Sequence, residues 1–418
     1  MGPPTVHEGK GAGRNLALGT AAFALCFSAW GMLAPLAPKV QDKLALSDTE
    51  TAVMISIPVV LGSLLRIPLG WLTDKLGGRI VFTFMLAYSA GAALLVGLAT
   101  SYVALLGAGF LLGVAGASFA VGIPFIADWY PPKRQGFALG IYGAGNIGTA
   151  IAAFSVPFLY NEFGQFSAGI AFGVVIGAFT LLWVSAARDA PVVRHARPEY
   201  REVIRSGWPL WQLAFFYFVT FGGFVAMAIF LPKLLTDWFD FSLTDAGLRA
   251  AGFTVLATAA RPIGGWLSDR LQASTVLAIA FAGVGLDAVG LSWQATDPEI
   301  VPVTILCLTM AAFLGMGNGA VFKLVPHQFP HSTGSVTGIV GAAGGLGGFF
   351  PPLVLGIVKD LTGTFTMAFV FLVAFAWMCA GLALSMRVQG AGEEPVQTEP
   401  LPAEPGRGTS VRATERPP

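Results

Sequence analysis

Apolar runs long enough to cross a bilayer recur twelve times in this chain of 418 residues. A helix needs about 20 apolar residues to span the hydrocarbon core, where every backbone N–H and C=O must be satisfied from within the protein. The runs fall at residues 15–37, 50–74, 79–99, 102–129, 135–160, 165–187, 208–235, 244–270, 273–294, 300–327, 334–358 and 364–387; they are numbered here as spans 1 to 12. Charged residues make up only 11% of the chain and hydrophobic ones 55%, against roughly 25% charge in a soluble domain. The fold class implied is an all-α membrane protein.

The interruptions organise the spans. The longest, "RDAPVVRHARPEYREVIRSG" from Arg188 to Gly207, divides them six and six. The expected organisation is therefore a tail over 1–14, a six-helix bundle over 15–187, a linker over 188–207, a second bundle over 208–387 and a disordered tail over 388–418, rich in Pro, Glu, Gly and Thr. Lys75, Arg79, Lys133, Arg134 and five arginines of the linker lie in loops on one side, while "ATSY", "NEFGQ" and "ATDPEI" on the other carry no Lys or Arg. Lys39, Lys43 and Lys359 run against that trend. The bias predicts both termini and the linker on the cytoplasmic side of an inner membrane. The first apolar run is too long for a cleaved signal and is expected to remain as span 1. The net charge of +1 points to no nucleic-acid partner, and Cys26, Cys307 and Cys379 sit singly in apolar runs, as small buried hydrophobes rather than metal ligands.

The two halves repeat each other. "RIPLGWLTDK" in span 2 is answered by "RPIGGWLSDR" in span 8, "ALGIYGAGNIG" in span 5 by "VTGIVGAAGGLG" in span 11, and "LLGVAGASFAVGIP" in span 4 by "FLGMGNGAVFKLVP" in span 10. Duplicated bundles with matched motifs are the signature of a carrier. Glycine runs inside membrane helices allow close packing, and they also suit the lining of a substrate path.

Charge at depth is the sharper signal. Arg66 precedes Asp74 by eight residues and Arg261 precedes Asp269 by eight, which places each arginine about 12 Å from the boundary at 1.5 Å per residue. A charge there costs about 2.5–3.5 kcal/mol on insertion scales, so it has a purpose. No carboxylate occupies the central turns of the neighbouring spans, and Asp287 lies in span 9. Lys323 in span 10 adds a third deep cation. Either these groups form structural pairs or they bind an anion; two guanidinium forks from opposite halves suit a small planar oxyanion. Tyr217 and Phe221, four apart in span 7, share a helix face, and Phe119 in span 4 sits among small residues. Asn146 is a polar group within a glycine run.

These motifs resemble the major facilitator superfamily, through "GWLTDKLGGR" and its half-repeat "GWLSDRL", and within it the nitrate/nitrite porter (NarK-like) family, through "GIYGAGNIGTAIAAF" and "GIVGAAGGLGGFFPP". The resemblance covers residues 15–387 and implies twelve transmembrane helices in two pseudo-symmetric six-helix bundles that rock about a midplane site. It also implies that Arg66 and Arg261 hold nitrate or nitrite, that Phe119, Tyr217 and Phe221 frame the anion, and that Asn146 hydrogen-bonds it. Gly143 and Gly341 match signature glycines. Asp74, Arg79, Asp269 and Arg270 would belong to a cytoplasmic gate. The helix 5 signature is one residue shorter than the usual form, and span 10 with Lys323 is similar to the branch that imports nitrate with protons.

Coupling stays open at this level. An inside-negative potential opposes anion entry by about 2.3 kcal/mol per charge per 100 mV, so uptake needs at least two protons per nitrate, whereas exchange for nitrite is electroneutral. Lys323 is the coupling candidate, with His327 nearer the helix end. The alternatives are a nitrate/nitrite antiporter, a carrier of another small anion such as formate or oxalate, and a passive anion channel or sensor. No nucleophile–base pair, metal cluster or phosphate loop marks an enzyme, no cofactor is expected, and a monomer is expected.

Overall fold

The structure, a computed structural model, describes residues 11–46, 48–164, 167–191, 203–362 and 366–390. Residues 388–390 of the expected disordered tail end the helix Thr366–Gly390; the rest of that tail and most of the expected linker lie outside the described residues. Every regular element among the described residues is a helix. Ten stretches qualify by length and apolar composition alone as membrane-crossing, from Ala12–Ala37 to Phe369–Met386. The other two of the twelve are Leu243–Arg270, diluted by its charges, and Thr333–Thr362.

Three spans are not continuous α-helix. Span 1 breaks after Trp30 and resumes as Leu33–Leu44. Span 4 tightens into a 3₁₀ turn at Gly113–Ala117 between Tyr102–Leu112 and Ser118–Ala127. Span 5 does the same at Ala144–Asn146, between Pro132–Gly143 and Ile147–Phe163. All three breaks fall at glycine-bearing sequences, where backbone entropy weakens the helix. Caps follow local chemistry: Ser101 Oγ accepts from the Ala104 N–H at 3.3 Å, and Ser242 Oγ from the Asp245 N–H at 3.2 Å. Gly77 turns the chain between spans 2 and 3 at φ 93°, a conformation that disfavours any side chain.

Span 3 packs against span 6 and span 9 against span 12, one pair in each half. The outward faces are apolar and exposed, with Val103 at 76% and Leu181 at 75%; in a lipid solvent this is the expected surface. The halves meet through span 2 against span 11 and span 5 against span 8. These contacts run along matched glycines. A Cβ on Gly140 would lie 2.6 Å from Pro262 Cα, and one on Gly338 would strike the Arg66 carbonyl oxygen, so the backbones touch where only hydrogen fits. Further along, beyond Ile147, spans 5 and 8 part, leaving a cleft lined by Ile151, Phe154, Phe158 and Val255. The two halves are joined at the end bearing Asp74 and Asp269, and spans 5 and 8 part toward the other.

Candidate anion site and gate

Arg66 and Arg261 come from spans 2 and 8, one in each half, and each is only 2% exposed. Their guanidinium carbons lie 5.5 and 5.4 Å from the centroid of the same ring, Phe221. They are thus separated by at most the sum of those distances, about 11 Å. At an effective dielectric constant of about 20, two like charges at that separation repel by about 1.5 kcal/mol. An anion between them would reverse the sign of that interaction.

Aromatic rings wall the space. Tyr217 stacks on Phe221 at 5.0 Å and on Phe119 at 6.0 Å. Phe322 stands edge-on to Phe119 at 4.5 Å and to Tyr217 at 4.6 Å. Phe224 adds a second ring 5.6 Å from the Arg261 guanidinium. The rings exclude water, which strengthens any contact between the guanidiniums and an anion. Phe119, Tyr217 and Phe221 are therefore brought together as one wall with the two arginines.

Neither arginine meets a carboxylate among the described residues. Arg66 is instead held by backbone: Nε donates to the Gly116 carbonyl at 3.2 Å and Nη1 to the Gly341 carbonyl at 2.5 Å. The second of these crosses from one half to the other. Arg261 has no backbone contact of this kind: it lies beside the Tyr217 hydroxyl, and its Nε and Nη2 are buried without a hydrogen-bond partner. Those two nitrogens form one edge of the guanidinium, with two parallel N–H donors, the geometry that grips a planar oxyanion. Asp287 is placed away from both, accepting from Thr309 Oγ1 at 2.9 Å.

The repeat explains part of the asymmetry. Gly143 of span 5 corresponds to Gly341 of span 11, and each abuts the arginine of the opposite half: a Cβ on Gly143 would sit 3.3 Å from Arg261 Cδ, and one on Gly341 3.2 Å from Arg66 Cδ. The Gly341 carbonyl accepts from Arg66, but the Gly143 carbonyl accepts from Asn146 Nδ2 at 2.7 Å. Asn146 is thus turned onto its own 3₁₀ turn, with its NH₂ engaged on the backbone.

The expectation of three unpaired deep cations is corrected for Lys323. Its Nζ forms an ion pair with Asp269 Oδ1 at 2.7 Å and donates to the Pro132 carbonyl. Helical periodicity gives the reason: at one residue past Phe322, it points away from the ring wall toward spans 5 and 8. Asp269 also accepts from the Gly136 and Phe137 N–H groups at 2.9 and 2.7 Å, at the start of span 5 in the opposite half. Asp74 does the equivalent for span 11, accepting from the Gly334 and Ser335 N–H groups at 2.9 and 2.7 Å and from Ser335 Oγ at 2.7 Å. Asp74 thereby caps a helix of the other half, where free N–H groups and the helix dipole favour a negative charge, while Asp269 binds the second turn of Pro132–Gly143. Arg79 and Arg270 do not cross between the halves. Arg79 binds Asp189 through its N–H at 3.0 Å and the Val184 carbonyl at 2.7 Å, and Arg270 lies 4.0 Å over the Trp266 ring of its own helix.

Phe322, Phe224 and the Gly116 carbonyl were not legible as site elements. Phe322 stands in "AVFKLVP" beside the lysine that draws attention, and its i, i+4 relation to Asn318 was the available signal.

Residues 19–352 match the Major Facilitator Superfamily. The chain is 39% identical over 399 residues to a Mycobacterium tuberculosis protein named "Probable nitrate/nitrite transporter NarK2", covering 93% of this chain and 99% of that one. It is 39% identical over 348 residues to a Bacillus subtilis protein named "Nitrite extrusion protein", covering 83% of this chain and 87% of that one. Among solved structures, the transporter FucP in its outward conformation matches with a TM-score of 0.72 at 18% identity, over 88% of this chain and 98% of that one, a likeness of fold alone.

Proposed function

The chain belongs to the Major Facilitator Superfamily and, within it, to the family of the nitrate/nitrite transporters, and from that premise we propose that it carries nitrate across the inner membrane by alternating access, with nitrite as second cargo. The observation that carries the reading is the pair of buried arginines from opposite halves, facing one ring and lacking a carboxylate. Such a site is electrostatically incomplete when empty, and a small planar anion completes it.

In this reading the end bearing Asp74 and Asp269 is cytoplasmic, as are both termini, and the site opens toward the outside. The anion enters between the diverging halves and draws Arg66 and Arg261 together. Return to the cytoplasm requires the aspartates to release the starts of spans 5 and 11. Lys323 remains the coupling candidate, now at the gate: a proton delivered to Asp269 would break its pair with Lys323 and free the Gly136 and Phe137 amides. Proton-coupled uptake is the favoured mode. The named activity of the Bacillus subtilis relative, nitrite extrusion, supports exchange as the second reading.

Nitrate uptake into proteoliposomes separates these. Symport gives uptake that follows an imposed proton gradient, and exchange gives uptake that follows nitrite preloading. Competition by formate and oxalate tests the cargo. Ohmic current without saturation or counterflow would sink the carrier altogether.

A further inference from the structure

Asn318 of span 10 is 2% exposed, and neither its Nδ2 nor its Oδ1 has a hydrogen-bond partner. A buried amide with both ends open is rare, because each open group forfeits its bonds to water. Its position is fixed by its neighbours. Gly315 and Gly319 press on the span 8 backbone at the Ala257 and Arg261 carbonyls, so Asn318 lies at the depth of Arg261. Gly317 faces Thr220 of span 7 on the other flank. Between those flanks the helix presents Asn318 and, one turn on, Phe322, whose ring meets Phe119 and Tyr217. Side chains on a helix lean toward its N-terminus, and spans 8 and 10 run parallel, so the amide and the Arg261 guanidinium lean the same way.

We propose that Asn318 is a substrate-binding and selectivity-determining residue, whose amide NH₂ donates to the bound oxyanion on the side left open by the free edge of Arg261. The inference rests on the proposed anion carrier and adds to it a polar group from span 10. Nitrate presents three oxygens in a plane. Two guanidiniums from opposite halves address two edges of that triangle, and the amide donor addresses the third. Nitrite, with two oxygens, has no third edge, so Asn318 favours nitrate over nitrite. The Asn318 carbonyl remains as an acceptor for Arg261 N–H, which fixes the fork when the anion arrives.

The test uses the full-length purified protein, with nitrate and nitrite affinities read from ligand-induced thermal stabilisation and KM and maximal rate from proteoliposomes. Asn318→Leu is close in volume and removes both polar ends. It is expected to leave the ligand-free melting temperature equal to or above wild type, since the amide has no structural partner. Nitrate affinity should fall at least tenfold and nitrite affinity less than threefold. Asn318→Asp sets a negative charge against the anion and should abolish nitrate binding. A fall of several degrees in the ligand-free melting temperature of Asn318→Leu would assign the amide to structure and overturn the proposal. So would nitrate affinity within twofold of wild type, or an equal loss for nitrate and nitrite. Wild-type protein that binds neither anion would instead refute the carrier reading, which keeps the two failures apart.

Discussion

The two arginine half-sites stand at equivalent places in an internal repeat and are finished differently. On the first half, Arg66 donates to two backbone carbonyls, and Ser63, Ser118 and Tyr142 donate to carbonyls as well. On the second half, Arg261, Asn318, Thr220 and Thr258 all hold buried polar atoms without a partner. Each unmet buried polar group costs about 1–3 kcal/mol, and these four groups all lie on the second half. One half is a preformed support and the other is poised to receive a ligand. Fold symmetry places two arginines around one ring, while local sequence decides which of them is free.

The largest effect expected follows from that difference. Arg261→Lys removes a fork edge that is free in this conformation, and a point charge cannot replace two parallel donors. Losing two charge-assisted hydrogen bonds at about 1.5 kcal/mol each predicts a drop in nitrate affinity of about 100-fold. Arg66→Lys should also stop transport, because Arg66 ties the halves through Gly341, yet it should weaken binding by only about tenfold, the worth of a single such contact. Ligand-induced thermal stabilisation, measured beside uptake, reads the two separately. Equal loss of binding in both variants would break the comparison and restore a symmetric clamp.

The gate extends the comparison to the other end. Asp74 caps span 11 with help from a serine hydroxyl, whereas Asp269 binds the second turn of the span 5 helix and neutralises Lys323. Both partners of that pair are nearly buried, at 11% and 6% exposure, and stranding one charge of a buried pair costs up to about 3–5 kcal/mol. Asp269→Asn is therefore expected to reduce uptake about 30-fold, a little over 2 kcal/mol, and Asp74→Asn less. Adding Lys323→Met to Asp269→Asn should recover part of the loss, since no unpaired charge then remains. If the double variant is worse than the single, Lys323 has a role in coupling beyond its pair with Asp269, and the pH dependence of uptake should change with it.

What the sequence made legible follows from which signals are local. Twelve spans, the duplication and the depth of Arg66 and Arg261 come from composition and period, which one chain displays directly. The resemblance supplied the ring wall of Phe119, Tyr217 and Phe221, which joins two spans far apart in sequence that meet only on folding. Side-chain partners were beyond reach. That Lys323 turns to Asp269, or that Asn146 takes the carbonyl corresponding to the one that holds Arg66, depends on helix rotation of less than a third of a turn. Spacing counted in residues does not resolve such rotation when 3₁₀ turns intervene, as at Ala144–Asn146.

The smallest effect distinguishes a held arginine from an unheld one. Gly143→Ala and Gly341→Ala each place a methyl 3.2–3.3 Å from an arginine Cδ, tight enough that the neighbour must give by a few tenths of an ångström. Arg261, with Nε and Nη2 unbonded and only the Tyr217 hydroxyl beside it, can move without losing a backbone contact. Arg66 cannot, because Nη1 is anchored to the carbonyl of Gly341, the residue that would carry the methyl. Forcing it away strains a charge-assisted contact worth about 1.5 kcal/mol, so Gly341→Ala should raise the nitrate KM about tenfold. Gly143→Ala should raise it about threefold or less, the cost of repacking alone. The order matters more than the size. A larger effect at Gly143 would mean that Arg261 is the constrained member in the transporting state, with the roles of the two halves exchanged as the carrier turns over.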